Sequence, residues 1–198
     1  MMKIKVDTES IETIEKSFLE IAEELMVKHV LKVGKEKYRI SSLEFYYYNE
    51  NCQHCDTNSH SLRSPRAKER QLLNSKWYLH KKSINLNYRR KGIDFTFGDG
   101  KNCGGALLKE VTVDGENGDK KFSQSKFVDE LIRVLNPVDA DLFLRLIEED
   151  EVLTFVASSS SEEYKIAQRK RKGLAKQDGY TDSPYAFCLK KVATLKMV

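Results

Sequence analysis

Apolar residues return at three- and four-residue steps between Ser10 and His29, at Ile11, Ile14, Phe18, Ile21, Leu25 and Met26, and this period predicts an amphipathic helix. Glu9, Glu12 and Glu15 stand near its start, where acidic side chains suit the positive end of the helix dipole. The pattern then changes. Val30 to Val33 and Tyr38 to Tyr48 are β-branched or aromatic runs, and Gly34-Lys35-Glu36 between them spaces a hairpin. Asn49 to Asn74 is polar, charged and without period, so it reads as a long loop. Short strands are expected at Lys76 to His80, Ile93 to Phe97 and Ala106 to Val113, with a turn over Asp114 to Asp119. Two helices follow, Ser123 to Leu135 and Asp139 to Glu149, divided by Asn136-Pro137. Ser158 to Ser161 with Glu162 and Glu163 offers a capping box, predicting a basic helix that runs toward Lys172 and stops near Gly173. Tyr185 to Leu189 closes the chain as a strand-like piece, and no internal repeat or low-complexity linker interrupts it.

A chain of 198 residues suits one hydrophobic core, so residues 1–198 are read as a single domain. Hydrophobic residues at 40% and charged residues at 32% place it among soluble globular proteins and away from disordered ones. Apolar runs such as Leu142 to Ile147 fall short of a bilayer span, and M-M-K-I-K-V-D lacks the apolar stretch of a signal peptide. The expectation is a cytoplasmic monomer with no membrane partner. Cys52, Cys55, Cys103 and Cys188 then read as reduced thiols. Of these, Cys52-Gln53-His54-Cys55 has ligand-like spacing but no second pair to complete a zinc site, so no metal is expected.

Net charge is only +4, yet basic residues cluster at Lys32-Lys37-Arg39, Arg63-Arg66-Lys68-Arg70, Arg89-Arg90-Lys91 and Arg169-Lys170-Arg171-Lys172, apart from the acidic runs. One basic face suits a polyanionic partner, although any single cluster reads equally as solvated surface. Glu44 is a sharper signal, because a carboxylate inside a strand is costly to desolvate unless paired or used. Alternation along the strand puts Glu44, Tyr46 and Tyr48 on one face and Leu43, Phe45 and Tyr47 on the other. Acid beside phenols fits either a pocket that stacks a planar ring next to an activated water or a strand with a solvated face.

Later segments favour the pocket. The order L-E-F-Y, D-T-N-S-H-S, W-Y-L-H, G-I-D-F, G-G-A-L-L-K-E-V, R-K-G-L-A-K and S-P-Y-A-F-C-L, from about Ala22 to Lys190, resembles the alkyladenine (3-methyladenine) DNA glycosylase family. The resemblance implies an α+β domain with a curved, mostly antiparallel sheet flanked by helices. It implies base-excision repair of an alkylated or deaminated purine flipped out of DNA, without cofactor. Glu44 then stands as the general base that activates water, and Lys109 stands where the family has an arginine that holds the water and a phosphate. Tyr46 and His60 match the pair that sandwiches the extruded base, and His80 replaces a further stacking tyrosine. Asp94 replaces an asparagine of the base pocket, and its acceptor-only edge alters selectivity. Arg169, Lys170, Arg171 and Lys172 would carry a basic helix to the DNA backbone, with Gly173-Leu174 lining the pocket.

Lys81-Lys82-Ser83-Ile84 stand where the family's intercalating tyrosine is expected, leaving the wedge to Ile84 or to the Asn49 to Asn74 loop. Two rival readings follow from these departures: a relative that binds DNA or a nucleobase without excision, and a small hydrolase or binding protein for free nucleosides.

Overall fold

The computed structural model describes residues 4–49, 51, 54–80, 91–114, 120–150, 152–160, 162–174 and 178–192. The N-terminal apolar period forms α1, Ile11–Glu23, whose N-cap Ser10 accepts from the Thr13 N–H while Thr13 reaches back to the Ser10 N–H. A π-helical turn, Glu24–Lys28, continues it and delivers the chain into strand β1, His29–Val33. Strand β2, Glu36–Tyr48, returns antiparallel across the Gly34 turn, where φ is +60° and glycine avoids the penalty a Cβ would incur.

The segment expected as a long loop is instead structured. A 3₁₀ turn, His60–Leu62, leads into helix α2, Pro65–Gln71, capped by the Ser64 hydroxyl on the Ala67 N–H. These pieces are too short to show a period, and the segment buries mostly polar groups: His54, Asp56, Asn58, Ser59, Ser61 and Gln71, with Ala67. Strands β3 (Asn74–Leu79), β4 (Ile93–Phe97), β5 (Cys103–Val113) and β6 (Lys121–Ser123) follow, then helices α3 (Gln124–Leu135) and α4 (Ala140–Glu148). Strands β7 (Leu153–Ala157), β8 (Tyr164–Arg169) and β9 (Ala186–Lys191) complete the sheet. The expected basic helix is therefore strand β8. Its pairing with β9 from Tyr164↔Lys191 to Arg169↔Ala186 satisfies a ladder of backbone groups and outweighs the local capping signal. The turn expected over Asp114 to Asp119 falls largely outside the described residues.

Among the described residues the strands pair antiparallel, in the order β3-β4-β5-β2-β1-β7, with β6 on β5 and β9 bridging β2 to β8. The sheet curls until its ends meet. Trp77 of β3 donates to the Leu153 carbonyl of β7 at 3.0 Å, and Phe155 of β7 lies 5.6 Å from the Trp77 ring and 5.0 Å from Phe95. One face of β2 and its neighbours is the core: Phe45, Tyr47, Phe97 and Tyr185 gather around Phe18 of α1, with centroids 5.1 to 6.0 Å away. Each fully buried aromatic or aliphatic side chain of this kind contributes roughly 1.5–3 kcal/mol. The chain is thus a single α+β domain with a curled antiparallel sheet. Among the described residues no helix is long and apolar enough to cross a membrane.

Candidate active site

The opposite face of the sheet is chemically different. Antiparallel register aligns Tyr78, Asp94, Leu107, Glu44 and Ala186 in one row across β3, β4, β5, β2 and β9. Directly opposed residues project to the same side of a sheet, so a carboxylate from β2 and one from β4 flank Leu107. The next row aligns Thr96, Gly105 and Tyr46. Gly105 is required there, because a Cβ would meet the Gln71 amide nitrogen at 2.5 Å and an Asp94 oxygen at 3.0 Å.

Glu44 is 5 % exposed and is paired rather than solvated. The Tyr46 hydroxyl donates to its Oε2 at 2.9 Å, and Lys109 Nζ lies 3.3 Å from the same oxygen. A bulge makes the second contact. Ser42 opposes Glu110 and Leu43 opposes Leu108, so Lys109 is the extra residue on β5, where bulges commonly re-aim a side chain. Burial, followed by the Glu44 charge, holds the Tyr46 phenol far above its ordinary pKa, so it remains a donor to the carboxylate.

A cavity of about 190 Å³ opens beside this cluster, lined by Tyr46, Asn58, His60, Arg63, His80, Asp94, Leu107, Gly173 and Leu174. The His60 and His80 rings lie 3.8 Å apart, tilted by 35°. Burial, reinforced by His80, pushes the His60 imidazole down to about 3, so it is neutral at neutral pH. His80 Nε2 contacts Asp94 Oδ1 at 2.7 Å, and the Gln71 amide donates to Oδ2 at 2.8 Å. Burial opposes the Asp94 charge, yet these partners together hold its pKa below the ordinary carboxylate value. Asp94 is therefore ionised and its two oxygens are engaged within the protein.

Sequence reasoning placed Tyr46, His60, His80, Asp94 and Gly173-Leu174 together, and all of them line the cavity, with Glu44 and Lys109 reached through Tyr46. Arg171 departs from its expected role at the DNA backbone. Its side chain is fully buried in an ion pair with Asp56, donates to the Phe45 and Tyr180 carbonyls, and lies 4.7 Å above the Tyr46 ring. Its neighbours Arg169, Lys170 and Lys172 are exposed, and Lys170 pairs with Asp182 at 2.8 Å. His54, within the segment expected as a long loop, is fully buried between Tyr47 and Tyr185.

Asn58, Arg63, Gln71 and Asp56 are site or support residues that the sequence did not single out. Asn58 lies within the D-T-N-S-H-S motif and Arg63 stands three residues beyond His60; Gln71 carries no sequence signal. Cys52 and Lys81 to Ile84, the candidate ligand and wedge, lie outside the described residues. No protein-family model and no curated protein matches the chain.

Proposed function

We propose that the protein is a monofunctional DNA glycosylase that hydrolyses the N-glycosidic bond of an alkylated or deaminated purine turned out of the stack. The observation that carries this reading is the convergence on Glu44: a buried strand carboxylate, held by a phenol and by a bulge-directed lysine, at the edge of an aromatic cavity. The cavity is smaller than the ~300–1,000 Å³ that accommodates drug-sized ligands, which suits one base rather than a whole nucleoside. A base entering it finds the rings of Tyr46, His60 and His80 among the lining residues, together with Asn58, Gly173 and Leu174.

In this reading Glu44 accepts a proton from a water molecule as the water oxygen bonds to the anomeric carbon. The glycosidic bond breaks, and its electron pair leaves with the base. Lys109 keeps Glu44 oriented and supplies positive charge for a phosphate at the mouth, though without the two-pronged hydrogen bonding of an arginine. Asp94 acts through His80, fixing the ring that forms the stacking wall. Arg63, Arg169 and Lys172 are exposed near the segments that line the mouth and would meet the backbone of damaged DNA, bound by a monomer.

The test is release of hypoxanthine, ethenoadenine or 3-methyladenine from labelled duplexes and single strands. Glu44→Gln is expected to lower release by roughly 10²–10⁴-fold, the usual contribution of a positioned acid or base. Absence of release by the wild type, with DNA binding retained, would instead favour a relative that binds without excision.

A further inference from the structure

The geometry points to a divalent transition-metal site formed by His60, His80 and Asp94, a function separate from base excision and not dependent on it. One ligand atom from each residue lies within 4.8 Å of the other two. Two imidazoles and a carboxylate form a donor set suited to Zn²⁺, Fe²⁺ or Co²⁺, and three protein ligands leave positions open for water or substrate. Zinc bonds of about 2.0–2.1 Å place tetrahedral donors roughly 3.3 Å apart. His80 Nε2 and Asp94 Oδ1, 2.7 Å apart, would separate slightly to admit the ion, and the half-buried His60 ring would swing inward.

The surroundings already resemble the support that holds metal ligands in place. Gln71 donates to Asp94 Oδ2 at 2.8 Å, and its own carbonyl accepts from the Ser61 N–H at 2.9 Å, so the amide is fixed and Oδ1 is directed toward His80. Gly92 admits the His80 ring, since a Cβ there would meet Nδ1 at 2.7 Å. A simple hydrogen-bonded pair between His80 and Asp94 would not require His60, yet His60 packs 3.8 Å from His80 with its nitrogen within the same cluster. The open positions face the cavity that Tyr46 and Leu107 line, so an ion and a stacked base are competing occupants.

The experiment is equilibrium dialysis of the metal-free protein against Zn²⁺, together with the absorption spectrum of the Co²⁺ form. One equivalent is expected, with cobalt bands typical of nitrogen and oxygen ligation, and His60→Ala and Asp94→Asn should each weaken binding at least 10-fold. Glu44→Gln should bind Zn²⁺ as the wild type does, so loss of base release and loss of metal remain distinguishable. Circular dichroism verifies the fold of each variant, and the wild-type cobalt spectrum decides the question even if Asp94→Asn fails to fold. Binding undiminished in folded His60→Ala, no stoichiometric binding by the wild type, or a thiolate charge-transfer band indicating Cys52 or Cys55 would overturn the assignment.

Discussion

Two cavities in this molecule differ in a way that size alone would misjudge. The larger, of about 430 Å³, lies at the seam where the curled sheet closes and is walled by Trp77, Phe95, Ile147, Leu153 and Phe155. Its carboxylates are committed to structure: Glu148 pairs with Arg66 and Arg70, and Glu24 with Lys28 and His29. The smaller, of about 190 Å³, lies beside the row that β3, β4, β5 and β2 present, with Asn58 and His60 of the preceding segment also lining it. Convergent polar groups, rather than volume, are what single out the smaller cavity.

This contrast predicts that the wall beside Tyr46 depends on the buried Asp56–Arg171 pair, while the Trp77 end of the seam depends on aromatic packing. The largest effect on stability should come from Asp56, whose carboxylate is fully buried against Arg171. Burial works to raise the Asp56 pKa and the Arg171 contact opposes it, so the pair coheres only while both partners are present. Asp56→Ala strands the guanidinium over the Tyr46 ring and is expected to cost about 3–5 kcal/mol, the usual consequence of orphaning a buried charge. Chemical denaturation checks this. A loss below 1 kcal/mol would mean that the Arg171 wall is not held by this pair.

Much of the fold was legible in the sequence because it rests on period. The Ile11 to Met26 spacing, the hairpin around Gly34 and the alternation through Glu44 and Tyr46 all describe burial against a core, which local pattern encodes. The rest depends on contacts distant in sequence. Arg171 sits in a run of four basic residues and reads as solvated surface, and only its pairing with Asp56, 115 residues earlier, makes it interior. Lys109 reaches Glu44 through a bulge, and Gln71 reaches Asp94 from a helix of seven residues, too short to carry a signal. Strand β8 was hidden by a convincing cap, since Ser158 to Glu163 satisfies local rules that its ladder with β9 overrides.

A second prediction separates the two regions by pH. His54, packed among Phe18, Tyr47, Tyr180 and Tyr185, is fully buried, with Nδ1 3.1 Å from the Tyr47 carbonyl and Nε2 2.9 Å from the Tyr185 hydroxyl. A carbonyl can only accept, so the neutral ring carries its proton on Nδ1. Burial pushes its pKa down from 6.5 to about 4. Below pH 6.5 the unfolded chain takes up a proton that the folded one refuses, so the stabilisation is complete above 6.5 and is lost as pH falls toward 4. The loss is on the order of 3 kcal/mol. His54→Phe should reduce the slope of stability against pH in this window by up to one proton; an unchanged slope would show that His54 is not the titrating group.

The smallest effect is expected at the seam, where the comparison is sharpest. Trp77 is 4 % exposed, stacks on Phe155 and donates to the Leu153 carbonyl at 3.0 Å, joining the two ends of the sheet. Phenylalanine retains an aromatic contact but removes the donor and part of the ring, leaving that carbonyl without the indole and a small void beside it. Trp77→Phe should therefore cost about 2 kcal/mol. Because the row Tyr78, Asp94, Leu107 and Glu44 projects from the opposite face, the proposed base release, measured at a temperature where the variant is fully folded, should match the wild type. Release reduced tenfold or more in folded Trp77→Phe would tie the larger cavity to the chemistry and remove the distinction between the two.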